Sequence, residues 1–505
     1  MAKQGHNGDA GESEKTQSVP TAGICPPQNR ESDSLDLHFV PTHRSMGFEV
    51  PVELPHQDEE ENNTRFDRLS SRRKRGIVAL LSFCALLSST ATTSVMAATP
   101  EVASEYNTTG SMINISNAMY TLSMAISPLF WGPLSQLYGR RWVSLITTST
   151  FLGFSIGTAL SPNLASFFIF RILSGFQGTS FILAGSAVIG DIYRPTERAT
   201  AQGWFLSGTQ IGPALGPCIS GIIVTYTSWR VIFWLQTAMS AVATVGTFVW
   251  LPETIHRKGI EDAKGLSRVE MFRFLCRRIN PWRVVQLYAY PNILFAGLAS
   301  SSLLWNLYSI LAAIRYVLNP RFNLTTPLQS GLFFLAPGAG YLLGTFLGGR
   351  YADAVVKQYI KKRGRRIPED RLISAVPFMI FNAACMLVYG WTVQFNRGGI
   401  PVVVIVLFMQ GVGQLMCFPS LNTYCLDVVP DRSAEVVAAN FAMRYAFSCL
   451  ATASVLPGIE AIGVGWISTV TAAFLVASCL ALVATVQWGD KWRERTHERR
   501  KIPSS

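Results

Sequence analysis

The sequence predicts an all-α membrane protein of twelve transmembrane helices, arranged as two pseudo-symmetric six-helix bundles. Three observations predict it: twelve mostly apolar runs long enough to cross a bilayer, a lopsided placement of basic residues between them, and an echo of the first six runs in the last six. Composition agrees. Hydrophobic residues make up 49% of the 505 and charged residues only 15%, against roughly 25% in soluble domains.

In chain order, residues 1–75 are polar and rich in Ser, Glu, Pro and Asn. They are expected to form a disordered cytosolic tail with no secretory leader. A helix needs about 20 mostly apolar residues to cross the hydrocarbon core. By that measure the first bundle, 76–254, holds spans near 77–98, 113–134, 142–160, 165–189, 201–224 and 230–251. A polar cytosolic loop, 255–292, follows. It carries Arg257, Lys258, Lys264, Arg268, Arg273, Arg277, Arg278 and Arg283. The second bundle, 293–488, holds spans near 293–316, 329–348, 374–394, 400–425, 436–460 and 466–488, and 489–505 is a basic cytosolic tail. Several spans contain Gly, Ser or Pro, which membrane helices tolerate because neighbours satisfy the freed backbone groups.

A net charge of +12 invites a nucleic-acid partner, but the 43 lysines and arginines gather at the ends of apolar runs. Arg72, Arg73, Lys74 and Arg75 precede the first run. Lys361, Lys362, Arg363, Arg365 and Arg366 lie between two later ones, and Arg493, Arg495, Arg499 and Arg500 follow the last. The even-numbered turns and both tails hold most of the basic residues, whereas the odd-numbered turns hold Arg230, Arg315, Arg321 and Arg397. This bias places both termini in the cytosol and removes nucleic acid from the expected partners. The nine cysteines form no CxxC pair and all six histidines lie outside the apolar runs, so no metal site and no cofactor are expected. No GxxxxGK[ST] loop is present, so ATP hydrolysis is not supported, and no enzymatic activity is expected.

The two halves share end motifs. Span 2 closes on Gly132-Pro-Leu-Ser-Gln136-Leu-Tyr-Gly139-Arg140-Arg141, and span 8 on Gly348-Gly-Arg-Tyr-Ala-Asp353 with a basic loop after it. Span 4 ends in Asp191-Ile-Tyr-Arg-Pro195 and span 10 in Asp427-Val-Val-Pro430, followed by Arg198 and Arg432 respectively. Duplication at this scale points to a transporter with a midplane site between its halves.

From about Arg75 to Trp488 the chain resembles the major facilitator superfamily, specifically the fungal twelve-span drug:proton antiporters. The resemblance rests on the Gly132–Arg141 signature and on Arg171-x-x-x-Gly175-x-x-Gly178 in span 4. It rests also on Gly208-x-x-x-Gly212-Pro213-x-x-Gly216-Pro217-x-x-x-Gly221 in span 5, on Leu251-Pro252-Glu253-Thr254, on Asn422-Thr-Tyr-x-x-Asp427 and on Asn440-Phe-x-x-Arg444. It implies the major facilitator fold and export of drugs, toxins or secondary metabolites in exchange for protons across the plasma membrane. The expected partners are the lipid bilayer, a small organic substrate and protons, and the chain is expected to be a monomer. The group includes organic-acid exporters, so a citrate or itaconate exporter is the alternative within the fold; a non-transporting sensor is the alternative in another class. The resemblance also implies a cytosolic gate of Gly132, Gln136, Gly139, Arg140, Arg141, Asp191, Arg198, Asp353 and Asp427. Here the chain departs from the pattern, because Gln136 stands where the family usually has an acid. Span 1 likewise has a Ser/Thr run, Ser88 to Ser94, in place of the family's Pro pattern.

Individual residues admit two readings each. Arg171 shares a helix face with Gly175 and Gly178; it is either a cavity charge or an arginine snorkelling to the interface. Arg444 and Asn440 are either cavity groups or a packing pair. The amides Gln177, Gln210, Asn306, Gln410 and Gln414, with Trp305 and Tyr308, suit a cavity for flat or amphipathic solutes, or ordinary interhelical packing. Gly208, Gly212, Gly216 and Gly221, with Pro213 and Pro217, predict a bent, closely packed helix. No Asp, Glu or His lies at mid-span; Glu101, Glu105 and Glu460 fall at the outer face. Asn107 and Asn323 head sequons on predicted outer loops, whereas the Asn62 sequon falls in the tail.

Overall fold

The computed structural model describes residues 69–255, 270, 280–324, 326–364, 367–429 and 432–501. Most of the expected N-terminal tail and central loop, including its basic residues up to Arg278 and the Asn62 sequon, lies outside the described residues. So do Arg365, Arg366, Pro430 and the side chains of Arg198, Arg495, Arg499 and Arg500.

Among the described residues the chain forms helices and no strand. Twelve of the helices are long: α1 Ser71–Thr93, α2 Gly110–Tyr138, α3 Arg140–Ala159, α4 Leu164–Ile192, α5 Pro195–Tyr226, α6 Arg230–Trp250, α7 Pro291–Phe322, α8 Leu335–Arg363, α9 Val376–Gln394, α10 Gly399–Val428, α11 Ser433–Ile462 and α12 Val464–Lys501. Each covers most of one of the twelve apolar runs. The Ser/Thr run of span 1 marks a change of geometry: α1 gives way to a 3-10 turn, Ser94–Ala98, and resumes over Thr99–Glu105. A short helix, Pro327–Phe333, precedes α8. The helices begin on side-chain caps where the sequence offers them. Asn163 and Ser166 form a reciprocal capping box at α4, and Thr326 with Gln329 does so before α8, satisfying orphan N–H groups.

Nine of these elements are long and apolar enough to cross a membrane. The exceptions are α2, α3 and α5. In α2 and α3 the diluting residues face inward: Asn114, Asn117, Thr121, Thr147 and Thr148 are buried. These polar side chains are thus kept inside, among an apolar core, while large apolar side chains are exposed on the outside. On α6, Val242, Val245, Phe248 and Val249 are all exposed, a face that in water would be an aggregation hazard and in lipid is solvated.

The expected basic loops are partly helical. α8 and α12 run well past their apolar cores into Lys361–Arg363 and Arg493, because charged residues are sound helix formers once the chain has left the bilayer. Arg315 and Arg321, read from sequence as loop residues, lie inside α7, and Arg315 is buried. Asn107 and Asn323 are exposed in left-handed turns, with φ of 50° and 51°, a conformation that asparagine tolerates better than most residues.

Packing repeats between the halves. In the first half the most extensive contacts are α1/α5, α2/α4, α3/α4, α3/α6, α1/α4 and α1/α6. In the second they are α7/α11, α8/α10, α9/α10, α9/α12, α7/α10 and α7/α12, the same set advanced by six. The halves meet through α2/α11 and α5/α8, which the same shift interchanges. Small residues make these approaches close. A Cβ on Gly208 or Gly212 would overlap Ser82 or Ser89 of α1, and one on Gly216 would lie 2.8 Å from Thr93 Oγ1. At Gly221 it would lie 2.8 Å from the Pro327 carbonyl, across the halves. In the second half Gly344 and Gly348 of α8 give similarly close approaches to α10, with limits of 2.7 and 2.5 Å from Leu415.

Candidate functional site

The seam between α2 and α11 is where buried charge and unpartnered polarity converge. α11 turns Phe441 and Tyr445 toward the first half, where they pack against the clusters around Ile77 and Tyr120. Arg444 lies between them, 6% exposed, with its guanidinium carbon 4.7 Å from the Phe418 ring and 5.8 Å from Phe441. It donates to Asn422 Oδ1 at 2.6 Å. Arg171 of α4 is 1% exposed and stacks 4.2 Å from the Tyr120 ring of α2. It donates to the Ala91 carbonyl at 3.1 Å and to Asn117 Oδ1 at 2.8 Å, tying α1, α2 and α4 together. It does not snorkel. Tyr445, next to Arg444 in α11, packs against the cluster that holds Tyr120, the ring under Arg171.

Several polar atoms here have no partner among the described residues. They include both amide atoms of Asn114 and Asn306, Asn117 Nδ2, the Tyr120 hydroxyl and the Nε of each arginine. An unsatisfied buried donor or acceptor costs about 1–3 kcal/mol, so such a cluster marks a place where water or a ligand completes the hydrogen bonding.

The other residues read from sequence are dispersed. Gln410 and Gln414 line a small enclosed space with Tyr341 and Leu307 between α7, α8 and α10. Trp305 turns away toward α12, donating to Thr471 Oγ1 at 3.3 Å and packing edge-on to Phe474. Asn440 donates to Cys425 Sγ at 3.8 Å, a packing contact between α10 and α11. Gln177 is buried in α4 and Gln210 half-buried in α5. Sequence reading missed Asn114, Asn117, Tyr120 and Tyr445. The visible signal was the polar stripe Asn114, Asn117, Thr121, at helical spacing inside an apolar run.

At the end of the molecule that carries the basic loops, each half has its own charge lock. Arg140 Nε pairs with Asp191 Oδ2 at 3.3 Å, Thr254 donates to the same oxygen, and Arg140 also reaches Ser135. Arg371 Nε pairs with Asp427 Oδ2 at 3.3 Å in the equivalent place of the second half. Arg141 donates to the Phe248 carbonyl at 2.9 Å. Asp353 is exposed, and Gly132 meets nothing where a Cβ would stand. Gln136 is exposed and makes no hydrogen bond among the described residues. The nearby acid comes from elsewhere: Glu253 at the end of α6 accepts from the Arg140 backbone N–H at 2.8 Å. Gly139 makes room for it, with φ of 107° and a carboxylate where a side chain would be. We expect Glu253→Ala to lower stability by about 1–3 kcal/mol. Gln136→Asp should change it by less than about 0.5 kcal/mol. Thermal unfolding of the purified protein checks both. In the second half Arg493 of α12 reaches back to Glu369 at 3.2 Å. Burial lifts the Glu369 carboxyl above the usual carboxylate range, against the pull of Arg493.

At the opposite end the tie crosses the halves. Arg315 of α7 forms a two-pronged ion pair with Glu101, which follows α1, and donates to the Ala97 carbonyl of the 3-10 turn. The Leu328 N–H donates to Thr225 Oγ1 at 3.0 Å beside it. Met96 packs into the core of the second half. Within the first half, Arg230 pairs with Glu105 at 2.7 Å.

Residues 81–453 match the model of the Major Facilitator Superfamily. Among relatives, the chain is 24% identical to the MFS antiporter QDR3 of Candida albicans, covering 92% of this chain and 84% of that one. It is 25% identical to the efflux pump radE of Floropilus chiversii over 85% and 82% respectively. Its fold resembles that of the human organic anion transporter MFSD10, with a TM-score of 0.60 at 16% identity, over 81% of this chain and 99% of that one.

Proposed function

The chain belongs to the Major Facilitator Superfamily and is a multi-pass membrane transporter rather than an enzyme, and we propose that it exports small organic molecules, such as drugs, toxins or secondary metabolites, across the plasma membrane by proton antiport. In this reading all twelve long helices cross the bilayer and both termini are cytosolic. The bundles comprise 76–254 and 293–488, and the chain works as a monomer. The observation that carries the reading is the α2/α11 seam, where two halves with matching internal packing enclose polar groups that lack partners among the described residues. A binding site between two repeats can face either side in turn as the repeats rock. The names of the fungal relatives, an antiporter and an efflux pump, support the outward direction. The proton coupling in this reading is supported by the name of the Candida albicans relative, an antiporter.

The test is accumulation of an azole, a cationic dye, a polyamine and a tricarboxylate in cells expressing the protein, with and without a protonophore. We expect at least one compound to accumulate less in expressing cells, and the protonophore to abolish the difference. Unchanged accumulation of every compound, with the protein verified at the plasma membrane, would overturn the export reading.

A further inference from the structure

Among the described residues, the buried charges of the helical interior have one sign. Lys74, in the first turn of α1 at the basic end, and Arg171, Arg315 and Arg444 are buried within helices, whereas the buried acids, Glu369 and Asp370, sit before α9 at the basic end, facing Arg493 and Arg363. Arg315 has Glu101. Arg171 and Arg444 have no carboxylate partner among the described residues; their hydrogen bonds go to neutral amide and carbonyl oxygens. An uncompensated buried cation is costly, and two beside one seam are more so. A guanidinium carries five donors in a planar fork, of which Arg171 uses two and Arg444 one. Aromatic rings cover the guanidinium faces, Tyr120 on Arg171 and Phe418 on Arg444. This leaves the edges, where the fork meets a carboxylate in plane. Asn114, Asn117 and the Tyr120 hydroxyl supply further unused hydrogen-bonding atoms alongside Arg171.

We propose that the transported molecule carries a carboxylate, held at the α2/α11 seam by Arg444, with Arg171 behind Tyr120 as the second cationic station. The inference deepens the export reading and rests on it. The surrounding rings suit an apolar or flat body attached to the acid. A polyamine or other cation would meet two unscreened positive charges and is rejected.

The experiment measures ligand-induced stabilisation of the purified full-length protein in detergent. The probes are citrate, itaconate, benzoate and a naphthoate, each beside its uncharged amide, with spermidine as the cation. The expected result is that at least one acid stabilises the protein at a concentration tenfold or more below its amide, and that spermidine gives nothing. Arg444→Gln and Arg171→Gln should each raise the concentration needed by tenfold or more, and Arg444→Lys by less. If a Gln variant fails to remain monodisperse, the Lys variant and the acid-to-amide comparison decide. No preference for any acid over its amide, or a preference that survives both Gln variants, overturns the proposal. Efflux of the cationic dye by cells without an acid preference here removes the anion and leaves transport standing. Acid binding without efflux of any compound does the reverse.

Discussion

Replacing Gly208 and Gly212 together by valine is expected to abolish transport and to remove several kcal/mol of stability. Both glycines lie on the α5 face that meets α1, and a Cβ at either would occupy space held by Ser82 or Ser89. Part of what they would displace is backbone, which cannot swing aside as a long side chain can. Overpacking costs about 1–3 kcal/mol per site when the surroundings can yield, and here two sites one turn apart strike the same neighbour. α5 also packs on α8 of the other half, so a displacement of α1 from α5 is transmitted to the contact between the halves. Gly203→Ala is the control: it lies on the same helix, nothing stands within 4 Å of its Cβ position, and it should leave stability unchanged or raise it by about 0.4–1 kcal/mol. Thermal unfolding and the accumulation assay read both variants. Wild-type transport in the double valine variant would show that the close α1/α5 approach is not needed.

The same stripe marks the boundary of what sequence could tell. Gly208 to Gly221 at helical spacing announced a close contact, and the structure supplies it. The twelve long helices were legible for a similar reason, because an apolar run that enters lipid must satisfy its own backbone. Helix ends were less so: α8 and α12 continue into charged sequence that hydropathy treats as loop. Side-chain partners were least legible. The sequence left Arg171 as either a cavity charge or a snorkelling side chain, and the Tyr120 ring and the Asn117 side-chain oxygen that receive it come from another helix. Gln136 drew attention to a missing acid, yet Glu253, more than a hundred residues later, stands beside Arg140. Such pairings depend on how helices rotate about their axes, which periodicity of a single segment cannot fix.

That distinction matters most for Arg315 and Glu101, which counting charges per turn treats as two unrelated outer residues. In the structure they are the ion pair that joins the halves at the end away from the basic loops. Arg315 is 7% exposed and holds both the Glu101 carboxylate and the Ala97 carbonyl of the unwound turn. It therefore clamps the 3-10 turn that follows α1. Removing either partner strands the other: Arg315→Ala frees a carboxylate and a carbonyl, and Glu101→Ala leaves a buried guanidinium. We expect each single variant to lose transport tenfold or more, since a closed state at that end is one of the two that alternating access requires. The exchange Glu101→Arg with Arg315→Glu should recover part of it, with a coupling of about 0.5–3 kcal/mol between the sites. A second readout follows from geometry. Ala97 is buried under the clamp, so Ala97→Cys should resist a membrane-impermeant maleimide in the otherwise wild-type chain and react once Arg315→Ala is added. Equal labelling in the two backgrounds would mean that the pair does not hold this end shut, and its role would then be confined to packing.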